Sequence, residues 1–535
     1  MKKTFKKWTF LIASISILVA CTDDYFEFDK IKTSEWSPEF ALPLVKSSLT
    51  LENILSNKDS SGIISTNADN VLEIVYEGNV ISGIGSELAP LPDFTEVTTI
   101  NAIPGPPPGV SVTIPYKDTT VINVQNGVEV DSILYKSGKL AFNFNSTVRH
   151  PVEVTISFPS FKDENKNVLS QTLSIPPYDG NSPSVRASIV ELKDYTGDFT
   201  LNGTSFNKLP YELSVKVTGI AGPPPGSLGN IQLTTNMRDV EYKRFNGYVG
   251  QDPMQLKEDT ILIGLFKNFK NGTFYLSNPT LDIKVSNSYG MPLNLNFNYL
   301  NALMPESTPS VKAINLGANN PVSLLYPTST GTETTNIRLD KNTSNIPEII
   351  KLLVKKIAYD ADAFPNPTGR TVRNYFTDTS SIGLDVKLTL PLEGYASGFI
   401  MQDTIEFEFD VAENLKEALL KTRIKNGFPT QGELQLIFTD NKYVGLDSAF
   451  SLGQEVIIPP APVDANGDAV GISEKNTDAV LTSEKLKKIK DTKFLIIKAE
   501  VETTNGSGAI PDTVRFRPSY KLDVEVGIKA SILID

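Results

Sequence analysis

A single histidine, His150, and a single cysteine, Cys21, set narrow limits on the chemistry this chain can perform. One imidazole cannot build a multi-histidine zinc site or the H-E-x-x-H pattern of a metalloprotease. A Ser-His-Asp triad would have to recruit His150, which directly precedes Pro151, and no G-x-S-x-G elbow supplies its nucleophile. Ser205 and Lys208 form an isolated S-x-x-K without the S-D-N and K-T-G companions of that acyl-transfer chemistry. Paired carboxylates stay open, because a glycosidase needs only two acids at a set separation and 62 acidic residues are present. Asp464, Asn466 and Asp468 follow the D-x-N-x-D spacing that lets alternate side chains converge on calcium. Ala469 takes the place of the usual glycine, however, and Lys475 that of the closing glutamate, so a polar turn around Gly467 is the better reading. Asp360 with Asp362 is a weaker candidate. The expectation is no enzyme, no metal and no cofactor.

Cys21 has a different use. Lys2, Lys3, Lys6 and Lys7 form a basic start, and Trp8 to Val19 is an apolar run too short to span a bilayer. Leu18, Val19, Ala20 and Cys21 then resemble a bacterial lipobox. That resemblance implies a signal peptide over residues 1–20, cleavage before Cys21, and diacylglycerol on its sulfur, with acyl chains such as palmitate. Asp23, Asp24 and Glu27 lie in a tract that resembles the signal sending Bacteroidota lipoproteins to the outer face of the outer membrane. Trp36 opens W-S-P-E-F-A-L-P-L-V, which is similar to the start of many Bacteroidota surface lipoproteins. Residues 21–40 read as lipidated cysteine and acidic tether. Without residues 1–20 the chain keeps 46 basic against 62 acidic residues, a net charge near -16, which argues against nucleic acid as a partner. One cysteine permits no internal disulfide, so packing alone must hold the fold.

Period-two alternation dominates the rest. Tyr520, Leu522, Val524, Val526, Ile528, Ala530, Ile532 and Ile534 alternate mostly with polar residues, as in a half-buried strand. Similar runs start at Val152, Tyr211, Leu384 and Ile405. The pattern predicts an all-β protein, an elongated array of antiparallel β-sandwich-like modules with a few short amphipathic helices. Helices are expected near 346–357, after an Asn345 cap and Pro347, near 411–420, and near 483–490 with Thr482 as cap. Modules are placed at 41–180, 181–335 and 336–535.

A repeat emerges when strand ends are aligned on asparagine. Asn145 precedes Pro151 and Val152 to Phe158; Asn287 precedes Pro292 and Leu293 to Tyr299; Asn426 precedes Pro429 and Leu434 to Phe438. The Asn-to-Pro pattern, clearest at Asn278 and Pro279 with Asn287 to Pro292, resembles the type 2 late-embryogenesis-abundant (water-stress) β-sandwich. That likeness implies binding or structural modules without an active site. Gly105 to Gly109 and Gly222 to Gly226 are identical G-P-P-P-G pentapeptides, suited to polyproline II. They read as stiff loops joining strands, with exposed docking hooks as the alternative.

Asp followed by Ser or Thr and then an aliphatic residue or Thr resembles the Bacteroidota O-glycosylation site. It marks Thr119, Ser132, Thr260, Thr404, Ser448 and Thr513. Together these readings predict a non-enzymatic, lipid-anchored protein of the outer membrane, facing the cell exterior, that presents β modules to a protein partner, a glycan or envelope machinery. The alternatives are a glycan-binding or glycan-processing component and a tubular lipid-binding protein. A row of exposed tyrosines or a carboxylate pair in a cleft would favour the first, an apolar tunnel beneath Ile346 to Ile357 the second.

Overall fold

The structure, a computed structural model, describes residues 39–51, 62–82, 88, 90–91, 93–224, 226–268, 272–304, 311–407, 415–450 and 456–532. The lipobox residues Leu18, Val19, Ala20 and Cys21, the acidic residues Asp23, Asp24 and Glu27, and Trp36 lie outside them. The described chain is all-β, built from antiparallel pairs. No described helix is long and apolar enough to cross a membrane.

The strand pairings resolve into three sandwiches of one design, each with eight strand positions that we letter A to H. One sheet has the order A-H-C-F and the facing sheet B-G-D-E. In the distal module these are Phe94–Pro104 (A), Ser111–Val121 (B), Glu129–Ser146 (C), Val152–Lys162 (D), Val168–Ile175 (E), Ser184–Glu191 (F), Lys208–Thr218 (G) and Leu228–Tyr248 (H). The middle module uses Leu72–Ser82 (A), Asp259–Leu262 (B), Thr280–Asn287 (C), Leu293–Leu303 (D), Val311–Ala313 and Val322–Leu324 (E), Glu333–Leu339 (F), Lys356–Pro365 (G) and Ile382–Pro391 (H). The proximal module uses Glu39–Thr50 (A), Phe399–Glu406 (B), Leu415–Asn426 (C), Thr430–Thr439 (D), Gly445–Ser448 and Val456–Ile458 (E), Ser473–Thr482 (F), Phe494–Thr503 (G) and Lys521–Ile532 (H).

The modules are nested rather than consecutive. The whole distal module is inserted between strands A and B of the middle one, and both together between strands A and B of the proximal one. Glu39 consequently pairs with Ser531 and Leu72 lies one strand from Ile382–Pro391. The sheets cross the positions near 180 and 335 where the sequence suggested boundaries: distal strand C pairs with H and D with G, and middle strand F pairs with strand C, Thr280–Asn287. Inward residues follow the predicted alternation. In proximal strand H, Leu522, Val524, Val526 and Ile528 are buried while Asp523 and Glu525 carry ion pairs on the outer face. Between the distal sheets Phe142 stacks on Phe158 at 5.8 Å and Tyr135 on Phe161 at 5.6 Å. Such ring pairs add about 0.5–1.5 kcal/mol beyond the area they bury.

Two expected helices are corrected. Residues 415–420 belong to strand C of the proximal module, despite the helix formers of L-K-E-A-L-L-K, because pairing on both sides with Lys521–Ile532 and Ser473–Thr482 outweighs local preference. Ala418, Leu420, Thr422 and Ile424 then face inward at period two. The helix near 346–357 is confined to Ile346–Ile350, and Leu353 has φ +58°, a left-handed turn that leads into strand Lys356–Pro365. Asn345 makes no side-chain cap there; its Oδ1 accepts from the Asn315 N–H at 2.8 Å. The third helix, Ser483–Ile489, is as expected, with Thr482 accepting from the Lys485 N–H.

The sequence repeat corresponds to the C-to-D turn of each module, with one shift of register. Asn287 Oδ1 accepts from the Tyr289 N–H and its Nδ2 donates to Leu325 O, both at 2.9 Å. Asn426 accepts from the Phe428 N–H and donates to the carbonyls of Thr430 and Pro459. In the distal module the equivalent is not Asn145 but buried Ser146, whose Oγ accepts from the Val148 N–H at 3.2 Å.

Candidate functional site

In the proximal and middle modules one end receives the next module. At that end strand A stops, strand B starts, and the G-to-H connection crosses over. In the middle module this connection, residues 366–381, contains strand Asn374–Thr377, which pairs with distal strand H. Arg373 binds both Glu129 and Asp131, Arg370 lies 3.1 Å from Glu129 and packs over the Tyr248 ring, and Lys136 reaches Asp378 at 2.8 Å. Glu129 is only 3% exposed, so these arginines compensate a buried carboxylate. In the proximal module the same connection, residues 504–520, contributes Val514–Arg515 to a small sheet with Glu393–Ala396 and Phe274–Leu276. An apolar void of about 80 Å³ remains at that joint among Leu265, Phe274, Leu392, Phe428 and Phe516, room for two or three water-sized groups.

The distal module has the same end, but nothing is inserted there. Its A-to-B and G-to-H connections are the two G-P-P-P-G loops. They meet each other: the Gly105 N–H donates to Ser227 O at 3.0 Å, Gly226 N–H to Gly105 O at 3.2 Å, and Gly109 N–H to Gly219 O at 3.1 Å. Pro106 is buried, while Pro107, Pro108 and Pro224 face outward. Proline has no N–H to offer a further strand, so this end is closed to the strand addition used at the joint below it. The loops therefore join strands, as expected, and also present prolines at the surface.

Beneath them lies His150, 1% exposed. Its Nδ1 accepts from the Ile220 N–H at 3.3 Å, and its Nε2 has no hydrogen-bond partner. Gly105 covers the ring so closely that a Cβ there would sit 2.3 Å from Nε2, which accounts for glycine at this position. Ser227 Oγ is likewise buried and unpartnered, on the same side of Gly105. Sequence reasoning singled out His150 and both pentapeptides but not their meeting, and Ser227 carried no signal of its own. A groove of about 370 Å³ runs beside the tip, lined by Pro151, Glu153, Arg186, Lys216 and Thr218.

The other candidates are dispersed. Ser205 and Lys208 flank Asn207, which bonds Val130 at the opposite end of the 18-residue strand C, roughly 55 Å from His150 at 3.3 Å per residue. Asp464 folds back on its own turn, accepting from the N–H groups of Asn466 and Asp468, and Arg517 engages both Asp468 oxygens at 2.6 Å. This is the polar turn around Gly467, φ +83°, that the spacing suggested. Asp360 and Asp362 share the Asn298 amide. Among the described residues no group of three or more His, Cys, Asp or Glu could hold a metal. Ile346, Ile349 and Ile350 fill the space under their helix and line no part of the apolar void. Phe206 and Tyr443, the most exposed large aromatics described, sit in different modules.

Of the six Asp-Ser/Thr sites, Thr119, Thr260, Thr404 and Thr513 are exposed; Ser132 accepts from Asn246 and Ser448 donates to Phe450 O, both half-buried. Thr119, Thr260 and Thr404 occupy edge strand B of the three modules, 141 and 144 residues apart. The preceding Asp118 and Asp403 accept from the N–H of Thr119 and Thr404, covering a backbone donor on a free edge.

No family model and no curated protein matches the chain, and the water-stress likeness has no support from either. Among solved structures, it is similar to a candidate secreted protein from Parabacteroides distasonis, with 11% identity over 92% of this chain and 99% of that one, at a TM-score of 0.28. A Sulfolobus turreted icosahedral virus structure follows, with 10% identity over 82% and 90% and a TM-score of 0.11. At these TM-scores neither shows a shared fold, so the function has to be argued from the chain itself.

Proposed function

We propose that this is a non-enzymatic, lipid-anchored protein of the outer membrane that holds its distal tip away from the cell surface for contact with a partner protein. The nesting carries this reading. Both ends of the described chain, Glu39 and Ile532, lie in one sheet of the proximal module, and two joints separate that sheet from the paired proline loops. Three strand lengths in series amount to a reach on the order of 100 Å. An acyl group on Cys21 would then attach on the proximal side, before Glu39, with the G-P-P-P-G loops at the far end. The exposed prolines Pro107, Pro108 and Pro224 suit a protein partner with an aromatic-lined groove, since proline-fixed loops lose little entropy on binding. Edge-strand glycans at Thr119, Thr260 and Thr404 would add a further guard against sheet-to-sheet association.

Protease shaving of intact cells, wild type beside Cys21→Ala, tests the placement. Release of distal-module peptides from wild-type cells, with the variant no longer retained on the cells, is expected. Peptides that appear only after lysis would contradict the outward-facing reading. Mass analysis of the same peptides reports glycans at Thr119, Thr260 and Thr404.

A further inference from the structure

We propose that His150 is an acid-sensitive latch that keeps the two proline loops of the distal tip closed. The closed arrangement requires a neutral imidazole. Because Nδ1 accepts the Ile220 N–H, the ring proton resides on Nε2, where burial under Gly105 leaves it without an acceptor. A second proton would have to go on Nδ1. It would set one N–H against another, delete the bond that ties the 218–229 segment to the 146–152 turn, and leave a buried positive charge. Ring protonation and loop opening are therefore coupled.

The surroundings offer no counter-charge. The segments bonded to one another at this tip are 103–110, 146–152, 176–178 and 218–229, and their other titratable side chains are Arg149, which is exposed, and Tyr178, which is half-buried. Just beyond them Glu153 is paired with Lys216 at 3.8 Å. Nothing in these segments rewards an imidazolium in the closed state. Opening costs little by comparison, because the loops are held by a few backbone bonds and carry Ser227 Oγ already unpartnered. Imidazole is the side chain whose ordinary charge change falls between about pH 5 and 8, and His150 is the chain's only histidine.

Hydrogen exchange on the full mature chain tests this, with exchange times scaled to the intrinsic rate at each pH. The reporters are the amides of Gly105, Gly109, Val110, Gly219, Gly226 and Ser227, all bonded in the closed tip. Moving from about pH 7.5 to 5.5 should speed their corrected exchange about tenfold or more, while strand Ile382–Pro391 stays unchanged. His150→Asn keeps an acceptor toward Ile220 and takes up no proton, and should exchange slowly at both values. Equal exchange of the wild-type tip at both pH values, or the same acid response in His150→Asn, would overturn the latch. The ring C–H signal of the single histidine gives a second readout independent of any variant: its titration should coincide with opening, and titration of a tip that stays closed would also overturn it.

Discussion

The joint between the middle and distal modules and the free tip of the distal module are built at equivalent places in the same sandwich design, yet one is made to hold a neighbour and the other to end the series. At the joint the G-to-H connection supplies a pairing strand, Asn374–Thr377, and two arginines to a buried glutamate. At the tip the same connection is shortened to 219–227, offers prolines in place of strand donors, and closes over one neutral imidazole. Charge and main-chain pairing make a socket; proline and glycine make a cap. The difference lies in two connections, with the eight-strand frame unchanged.

The comparison breaks most sharply at Arg373. Arg373→Ala leaves Glu129 buried with Arg370 alone, and should loosen the joint by about 2–4 kcal/mol, reduced from the fully buried case because the arginine is partly exposed. Urea unfolding should then show the distal module melting separately, whereas the tip amides keep their protection. Next come the C-to-D turns. Asn287→Ala strands the Tyr289 N–H and the Leu325 carbonyl, and should cost about 2–3 kcal/mol in chemical denaturation. Ser146→Ala, which loses the single 3.2 Å bond to Val148, should cost only about 1 kcal/mol. Equal penalties would mean that the socket ends are no more demanding than the tip.

The smallest effect separates the tip from the general acid response. Lys46 holds Glu525, Arg423 holds Glu474 and Lys243 holds Asp194 below the ordinary carboxylate range; backbone N–H groups do the same for Asp340 and Asp464. A carboxyl depressed in the folded state contributes stability above its unfolded value, and that contribution is lost as pH falls through the folded value. These groups are ionised in both states between pH 7 and 5, so their contribution to stability should hold there and decline below about pH 4. Denaturation midpoints of His150→Asn across this range check it; a loss already present at pH 5.5 in that variant would mean that acid acts on more than the tip.

Much of the strand content was legible because one wet face per sheet imposes period two, as in Leu522 to Ile528. The helix at Ser483–Ile489 was legible through Thr482, a cap whose bond is local. Residues 415–420 were misread because their partners lie far away in sequence, about 60 residues on in one strand and more than 100 in the other. The nesting was hidden for the same reason: alternation reports which face a residue takes, not which strand it meets, and Glu39 meets Ser531 across almost the whole chain. At the tip, two identical pentapeptides and a lone histidine were each visible, but only the shared A-to-B and G-to-H geometry brings them together.

The most direct test of the nested arrangement is excision. Residues 93–249 expressed alone should fold, with a cooperative melt and slow exchange along strand Glu129–Ser146. The remaining chain, with G-P-P-P-G spliced between residues 82 and 254, should keep the proximal and middle sheets folded. Failure of both pieces to fold would contradict the account and favour modules that run consecutively along the chain.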